Sequence, residues 1–265
     1  MNLLSSTSLF GFYTLVSRVL GYLRDILIAI FLGTSIYADA FFVAFRLPNT
    51  FRRLFAEGTF NAAFIPSYTQ QKIRGKKPGK EFADEVFSLI SIFLIFLIVI
   101  IEIFTPFIVY IIAPGFYEEL EKFNLAVEFT RITFPFLLFV SLSSLLSGIL
   151  NTNNKFAIAA AAPIILNIVL IASLFISFFY ELNIAKNLSI GVTLAGVFQF
   201  IILIFFTRKY YFPSIKFVKK FNNNIRLFFR KLLPSIFSSG ITQINILIGT
   251  IIASFQSGAV SYLYY

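Results

Sequence analysis

Long uncharged apolar runs alternate with short polar stretches along most of the chain. The run 87–101, for example, contains no charged residue. A helix that crosses a bilayer needs about 20 mainly apolar residues, and the runs have this length rather than the short alternating pattern of an outer-membrane strand. The pattern predicts an all-α, polytopic membrane helix bundle with seven transmembrane helices and the start of an eighth. The predicted spans are 10–32, 36–67, 86–112, 125–150, 156–180, 190–206 and 233–255, with a truncated eighth from 259.

Composition agrees with a membrane protein. The chain is 58% hydrophobic and 13% charged, with a mean hydropathy of +0.87, whereas soluble domains carry about 25% charged residues. It contains no cysteine and no histidine, which excludes disulfides, thiol catalysis and Cys/His zinc sites. The first residues lack a basic segment and a small-residue cleavage site, so no removable signal peptide is expected.

The net charge of +10 comes from basic residues in loops. Fourteen Lys and Arg residues fall after spans two, four and six, and two, Lys122 and Lys186, fall after spans three and five. Cytoplasmic loops are the basic ones, so we expect a cytoplasmic N-terminus. Basic loops also suit anionic membrane lipids, and we expect no nucleic-acid partner.

The polar stretches between spans carry further predictions. Lys72–Lys80 is read as a basic loop and Ala113–Lys122 as a short acidic loop. Residues 207–231 form a basic connector whose last part mixes basic and apolar residues, which favours a helix in the membrane interface. Glu128 and Arg131, one turn apart, favour a local ion pair.

The first two spans are unusual because they carry many charges at membrane depth. Such charges cost several kcal/mol each and need partners or a wet cavity. Five arginines accompany three carboxylates, an excess of two positive charges. These residues are Arg18, Arg24, Asp25, Asp39, Arg46, Arg52, Arg53 and Glu57.

An anion between helices would account for this excess, because guanidinium forks bind phosphate through two parallel hydrogen bonds. We therefore predict that Arg18, Arg24 and Arg52 bind the substrate, and we expect a diphosphate as the ligand. Asp39 should lie near the outer end of span two, within reach of Arg24, and Arg53 should pair with Glu57. The supporting ion-pair or gate residues are Ser17, Asp25, Asp39, Asn49, Arg53 and Glu57. The alternative is that these charges only pair with one another and lock the helices together.

Span seven presents a polar face toward the expected cavity. Its polar residues are Ser238, Ser239, Thr242, Gln243 and Asn245. We expect the three arginines to point into a space bordered by spans one, two and seven.

At these residues the sequence resembles the MurJ/MviN family, the lipid II flippases of the multidrug/oligosaccharidyl-lipid/polysaccharide exporter superfamily. The resemblance covers essentially the whole chain, and its motifs are specific in combination. They are SRVLGYLRD at 17–25, DAFFVAFRLPN at 39–49, RRLFAEGTFNAAFIP at 52–66, APGF at 113–116, RITFPF at 131–136, GILNT at 148–152 and APIILN at 162–167.

The resemblance implies a fourteen-helix, two-lobe transporter of the bacterial cytoplasmic membrane. Such a protein flips the undecaprenyl-diphosphate-linked peptidoglycan precursor from the cytoplasmic to the periplasmic leaflet by alternating access. Residues 1–265 would be its N-terminal transmembrane lobe, with the C-terminal lobe missing, and the full-length protein would be a monomer. The family implies that Arg18, Arg24 and Arg52 are the cationic cavity residues and that Asp39 supports them.

Other functions remain open at this point. The chain could flip another polyprenyl-diphosphate glycan, export drugs in exchange for ions, or be a non-transporting half or partial sequence. An enzyme acting on polyprenyl phosphates would need a metal cluster or positioned acid–base groups. The carboxylates are scattered, so neither a cofactor nor an enzymatic activity is expected.

Overall fold

The computed structural model describes residues 3–55, 59–216 and 222–265. In these ranges the chain folds into ten α-helices and one short 3-10 turn. Glu57, the predicted partner of Arg53, lies outside the described residues, and so do residues 217–221 of the predicted basic connector. The helices are α1 (Leu3–Leu32), α2 (Ile36–Phe55), α3 (Thr59–Arg74), α4 (Lys76–Ile112), α5 (Leu120–Thr133), α6 (Phe136–Thr152), α7 (Phe156–Phe179), α8 (Ile184–Thr207), α9 (Asn223–Ala253) and α10 (Ala259–Tyr264), and the 3-10 turn spans Pro114–Glu118.

Several helices have the length and apolar character of membrane spans, as the sequence predicts. Among the described residues four segments qualify: α4, the α5–α6 pair, α7 and α8. A fifth is α9 if its two parts, which meet at 47°, are taken as one span. The charges of α1 and α2 set these two helices apart from the others. The all-helical membrane fold is confirmed, and the count of seven spans stays a prediction.

Two clusters of buried aromatic and aliphatic side chains hold the helices together. The first lies where α2 packs against α5, α6 and α8, and contains Phe41, Phe45 and Phe129. The second lies where α3 packs against α4, α6 and α9, and contains Phe64 and Phe228. Separately, α1 packs along α7, and α7 along α8. The charged helix α2 is therefore fixed by its apolar face.

Prolines shape the ends of the helices differently from the sequence prediction. The predicted basic loop Lys72–Lys80 is wrong, because α3 and α4 are separated only by Gly75, whose φ is 145°. Pro78 falls in the first turn of α4, where the missing N–H would have no helical partner anyway. Pro135 lies between α5 and α6, so the predicted fourth span consists of two helices.

The basic connector between α8 and α9 is held against α4 by a buried carboxylate. Asp84 is fully buried; its carboxylate accepts a hydrogen bond from the Ser214 N–H (3.2 Å) and lies 3.3 Å from the Lys216 ammonium. The Lys216 N–H also donates to the Ser88 hydroxyl at 2.8 Å. Burial raises the pKa of the neighbouring Tyr211 phenol, and the charge of Asp84 adds to the effect. These contacts hold the described part of the connector against α4.

The 3-10 turn packs closely against the end of α9. The N–H of Gly115 donates to the Ser254 hydroxyl at 3.0 Å, and a Cβ at position 115 would overlap the Ser254 carbonyl. Only glycine permits this approach, which explains the glycine of the APGF motif. The contact brings the turn between α9 and α10 next to the start of α5.

Candidate functional site

A cavity of about 720 Å³ lies where α1, α2, α9 and α10 meet, with a contribution from α7. It is lined by four arginines and, among the described residues, by one carboxylate. The charged lining residues are Arg24, Arg46, Arg52, Arg53 and Asp25. The polar residues Asn49, Thr50, Gln243, Asn245 and Tyr264 complete the polar part of the wall. Such a lining is suited to bind an anion.

Arg24 is held in position from two sides. Its Nε and Nη2 donate to one oxygen of Asp25, at 3.0 and 2.7 Å, and its Nη1 donates to the amide oxygen of Asn167 on α7 at 3.0 Å. The Asn167 side chain is itself anchored, because its NH₂ donates to the Ser17 carbonyl at 2.9 Å. The side chain of Arg24 is 12% exposed and that of Asp25 is 40% exposed. The guanidinium of Arg24 is therefore fixed at the cavity wall.

Arg52 is also oriented by an asparagine. Its Nε donates to the amide oxygen of Asn49, one turn earlier on α2, at 3.0 Å. An amide oxygen accepts the hydrogen bond without adding a negative charge. Asn49 and Asn167 thus position two guanidinium groups while leaving the net charge of the cavity unchanged.

Arg46 differs from the other lining arginines in its surroundings. Its Nε and Nη2 are buried, and neither has a hydrogen-bond partner in the described part of the chain. Buried donors without acceptors cost free energy, and the cost is larger for a charged group. Arg46 therefore carries two buried donors that no acceptor in the described part of the chain satisfies.

Asp39 lies outside this cavity and is fully buried. It forms an ion pair with Lys122 of α5, with 2.8 Å between Nζ and Oδ2. It also accepts hydrogen bonds from the N–H groups of Gly258 and Ser261 (2.8 and 2.9 Å) and from the Ser261 hydroxyl. The side chain of Lys122 is 2% exposed, and its ammonium lies 4.4 Å from the centre of the Phe116 ring. Asp39 thus joins α2, α5 and the start of α10.

This arrangement corrects the partner predicted for Asp39. The sequence places it within reach of Arg24, but Arg24 pairs with its neighbour Asp25, and Asp39 pairs with Lys122. The sequence also places Lys122 in an outer loop, whereas it lies in α5. The predicted Glu128–Arg131 pair is wrong as well, since Glu128 pairs with Lys186 at 2.9 Å.

The structure brings together some of the selected site residues and separates others. Arg24, Asp25, Asn49, Arg52 and Arg53 line the cavity. Arg18 is exposed on α1 and Ser17 is partly buried, and neither belongs to the lining. From the polar face of α9, Gln243 and Asn245 line the cavity; the side chains of Ser238 and Ser239 are not described.

Sequence reasoning did not select Asn167, Lys122 or Tyr264 as site residues. A lone asparagine in an apolar span is a detectable signal, because polar groups at membrane depth need partners. No comparable signal marks Lys122, which follows three glutamates in a stretch that resembles a solvated loop. Tyr264 reaches the wall because its ring stacks on Phe42, with 4.0 Å between ring centres.

Breaking the buried pair should destabilise the fold far more than breaking a surface pair. We expect Lys122→Ala to lower the free energy of unfolding by about 3–5 kcal/mol, because it leaves the Asp39 carboxylate buried without its counter-ion. Lys186→Ala is the matched control; its side chain and that of Glu128 are 51% and 46% exposed, and we expect about 0–1 kcal/mol. Denaturant unfolding of the detergent-solubilised chain, followed by circular dichroism, measures both. Equal losses for the two variants would contradict the role of the Asp39–Lys122 pair.

The chain is similar to one family of known proteins. Residues 28–265 match the family model described as "Lipid II flippase MurJ". The whole chain is 38% identical over 270 residues to the probable lipid II flippase MurJ of Rhizobium tropici, covering 51% of that protein. It is 39% identical over 271 residues to the corresponding protein of Rickettsia prowazekii, covering 52%. The chain spans about half the length of the curated relatives it matches.

A solved structure has the same helix arrangement. It is that of a lipid II flippase MurJ in an inward closed conformation, which superposes with a TM-score of 0.81 at 28% identity. The superposition covers 96% of this chain and 52% of the solved one. The similarity in sequence and the similarity in structure thus each cover about half of the matched protein.

Proposed function

Because the chain belongs to the lipid II flippase MurJ family, we propose that it forms one lobe of a transporter for lipid II. This substrate is an undecaprenyl-diphosphate-linked precursor of peptidoglycan, and the transporter moves it from the cytoplasmic to the periplasmic leaflet. The observation that supports the proposal is the cavity with four arginines and one carboxylate among its described lining residues. A diphosphate is the chemical group that this lining suits best.

The binding step follows from the geometry of the wall. Asn167 and Asp25 hold the Arg24 guanidinium, so little side-chain entropy is lost when it binds a phosphate. Arg46 brings two buried donors that lack acceptors among the described residues. We propose that Arg24 and Arg52 bind the diphosphate and that Arg46 adds a third cationic contact. The assignment of Arg18 rests on the family resemblance, since its side chain lies outside the cavity lining.

Transport requires a second lobe. Alternating access moves two lobes against each other around a site between them, and the curated relatives are about twice as long as this chain. The cavity wall described above is formed by α1, α2, α9 and α10, with a residue from α7, and we propose that a second lobe closes the opposite side. In this proposal the full-length protein acts as a monomer, and the described helices supply the anion-binding wall.

The proposed orientation places the N-terminus in the cytoplasm of a bacterial cell, with the protein in the inner membrane. The basic residues around Gly75 and in the α8–α9 connector support this orientation, because cytoplasmic loops are enriched in Lys and Arg. The acidic 3-10 turn before α5 then lies on the periplasmic side.

We expect removal of Arg24 to stop most of the transport. A charge-assisted hydrogen bond contributes about 1.5–3 kcal/mol, so Arg24→Ala should reduce the flipping rate by roughly 10- to 100-fold. Arg24→Lys should restore only part of it, because lysine keeps the charge but loses the planar fork. The protein to test is a fusion of this chain to the second half of the Rhizobium tropici relative. Flipping is measured in proteoliposomes as the loss of labelled lipid II from the inner leaflet.

The control for this experiment is Arg74→Ala, because Arg74 is exposed at the end of α3, away from the cavity. It should flip lipid II at the unsubstituted rate. Full activity of Arg24→Ala at normal protein levels would remove Arg24 from the binding site.

The orientation can be tested separately by cysteine labelling. The chain has no cysteine, so each introduced residue is the single target. In intact cells whose outer membrane has been permeabilised, a thiol reagent that does not cross the inner membrane should label Glu119→Cys and spare Lys76→Cys. Lysis should expose the second position. Labelling of position 119 only after lysis would reverse the proposed topology.

A further inference from the structure

A second cavity lies on another side of the molecule and shares no residue with the arginine-lined one. It measures about 310 Å³ and lies between α3, α4, α6 and α9. Its walls are aliphatic and aromatic side chains, among them Leu89 and Phe93 of α4 and Phe229 and Leu233 of α9. Phe93 is 52% exposed and Leu233 is 53% exposed. The cavity is therefore a groove that opens to the outside, and we call it the α4–α9 groove.

One polar group interrupts the apolar wall of the groove. Ser141 of α6 lines it, is 4% exposed, and its hydroxyl has no hydrogen-bond partner in the described part of the chain. An unpaired buried hydroxyl costs free energy. An occupant with an acceptor near its apolar part, such as an ester carbonyl, would remove that cost.

Basic side chains lie at one end of the groove. Arg226 precedes Phe229 by three residues and Leu233 by seven, so the three lie on one stripe of α9. Arg230 lies one turn after Arg226 on the same side, and both arginines are exposed. The groove thus continues toward the N-terminus of α9 as a cationic surface.

One carboxylate lies near the same end. Glu85 precedes Leu89 by one turn on α4 and accepts a hydrogen bond from the Asn222 amide at 2.7 Å. Two arginines against this one carboxylate leave an excess of positive charge at this end of the groove.

We propose that the α4–α9 groove is a binding site for an anionic phospholipid of the surrounding membrane. An acyl chain packs between Phe93 and Phe229, and the phosphate lies against Arg226 and Arg230. A neutral lipid would fill the apolar part equally well but would not use the two arginines. The proposal depends on membrane insertion. It does not depend on the transport of lipid II, because the groove and the arginine-lined cavity are lined by different residues.

The absence of tryptophan in the chain provides a direct measurement. Phe93→Trp places a single fluorophore in the groove, and a lipid with bromine atoms on its acyl chain quenches it only on contact. The chain is reconstituted in phosphatidylcholine vesicles, and dibrominated phosphatidylglycerol is compared with dibrominated phosphatidylcholine at equal mole fraction. We expect the anionic lipid to bind roughly threefold or more in preference, because each basic residue near the surface favours anionic lipid.

Matched variants separate the site from general attraction to the membrane. Phe107→Trp, on the same helix and 61% exposed, should show no preference between the two lipids. In the Phe93→Trp background, the double change Arg226→Gln and Arg230→Gln should abolish the preference. The double change Lys76→Gln and Lys77→Gln removes the same charge from exposed residues at the start of α4 and should retain it.

Three outcomes would overturn the proposal. Equal quenching by both lipids at position 93 would show that the groove does not recognise charge. A preference that survives the loss of Arg226 and Arg230 would place the recognition elsewhere. Quenching by neither lipid would show that no acyl chain enters the groove. Arg24→Gln alters the arginine-lined cavity and should leave the lipid preference at position 93 unchanged. A failure of the proposed transport function would therefore not affect this measurement.

Discussion

The buried ion pair between Asp39 and Lys122 joins α2, which carries three of the cavity arginines, to α5. Its carboxylate also accepts the N–H groups of Gly258 and Ser261 at the start of α10. Those bonds determine where Leu263 and Tyr264 lie, and both residues line the arginine-rich cavity. A buried charge is tolerated only when it is paired and hydrogen-bonded. Separating α2, α5 and α10 would therefore cost a large free energy.

Helix α2 carries opposite electrostatic environments at its two ends. At its first turn the single charge of Asp39 is paired by Lys122. Toward its last turns, Arg46, Arg52 and Arg53 face a cavity to which only Asp25 contributes a carboxylate among the described residues. Asn167 on α7 and the neighbouring Asp25 orient Arg24, and Asn49 orients Arg52 from within α2. The described helices therefore hold several cationic groups in place around one cavity.

The sequence predicts the membrane class and part of the site for a clear physical reason. Arginines at membrane depth must face a cavity or a partner, and Arg24 and Arg52 do line one cavity. The partner of Asp39 could not be predicted, because Lys122 is distant in sequence and lies in a stretch that resembles a loop. The sequence pattern also wrongly predicted a loop around Gly75 and Pro78, because a proline in the first turn of a helix is as compatible with a helix as with a loop. Pairings between distant helices depend on packing, which a single sequence does not display.

We propose that the cavity between α1, α2, α9 and α10 recognises a diphosphate. The most direct test is calorimetric titration of the detergent-solubilised chain with farnesyl diphosphate and, separately, with farnesol, which shares the apolar part and lacks the charge. We expect the diphosphate to bind at least tenfold more tightly than farnesol, a difference in binding free energy of about 1.4 kcal/mol. The double change Arg24→Gln and Arg46→Gln should remove that difference, and Arg74→Gln should preserve it. Equal affinity for the two compounds, or a preference that the cavity substitutions leave unchanged, would contradict diphosphate recognition by this cavity.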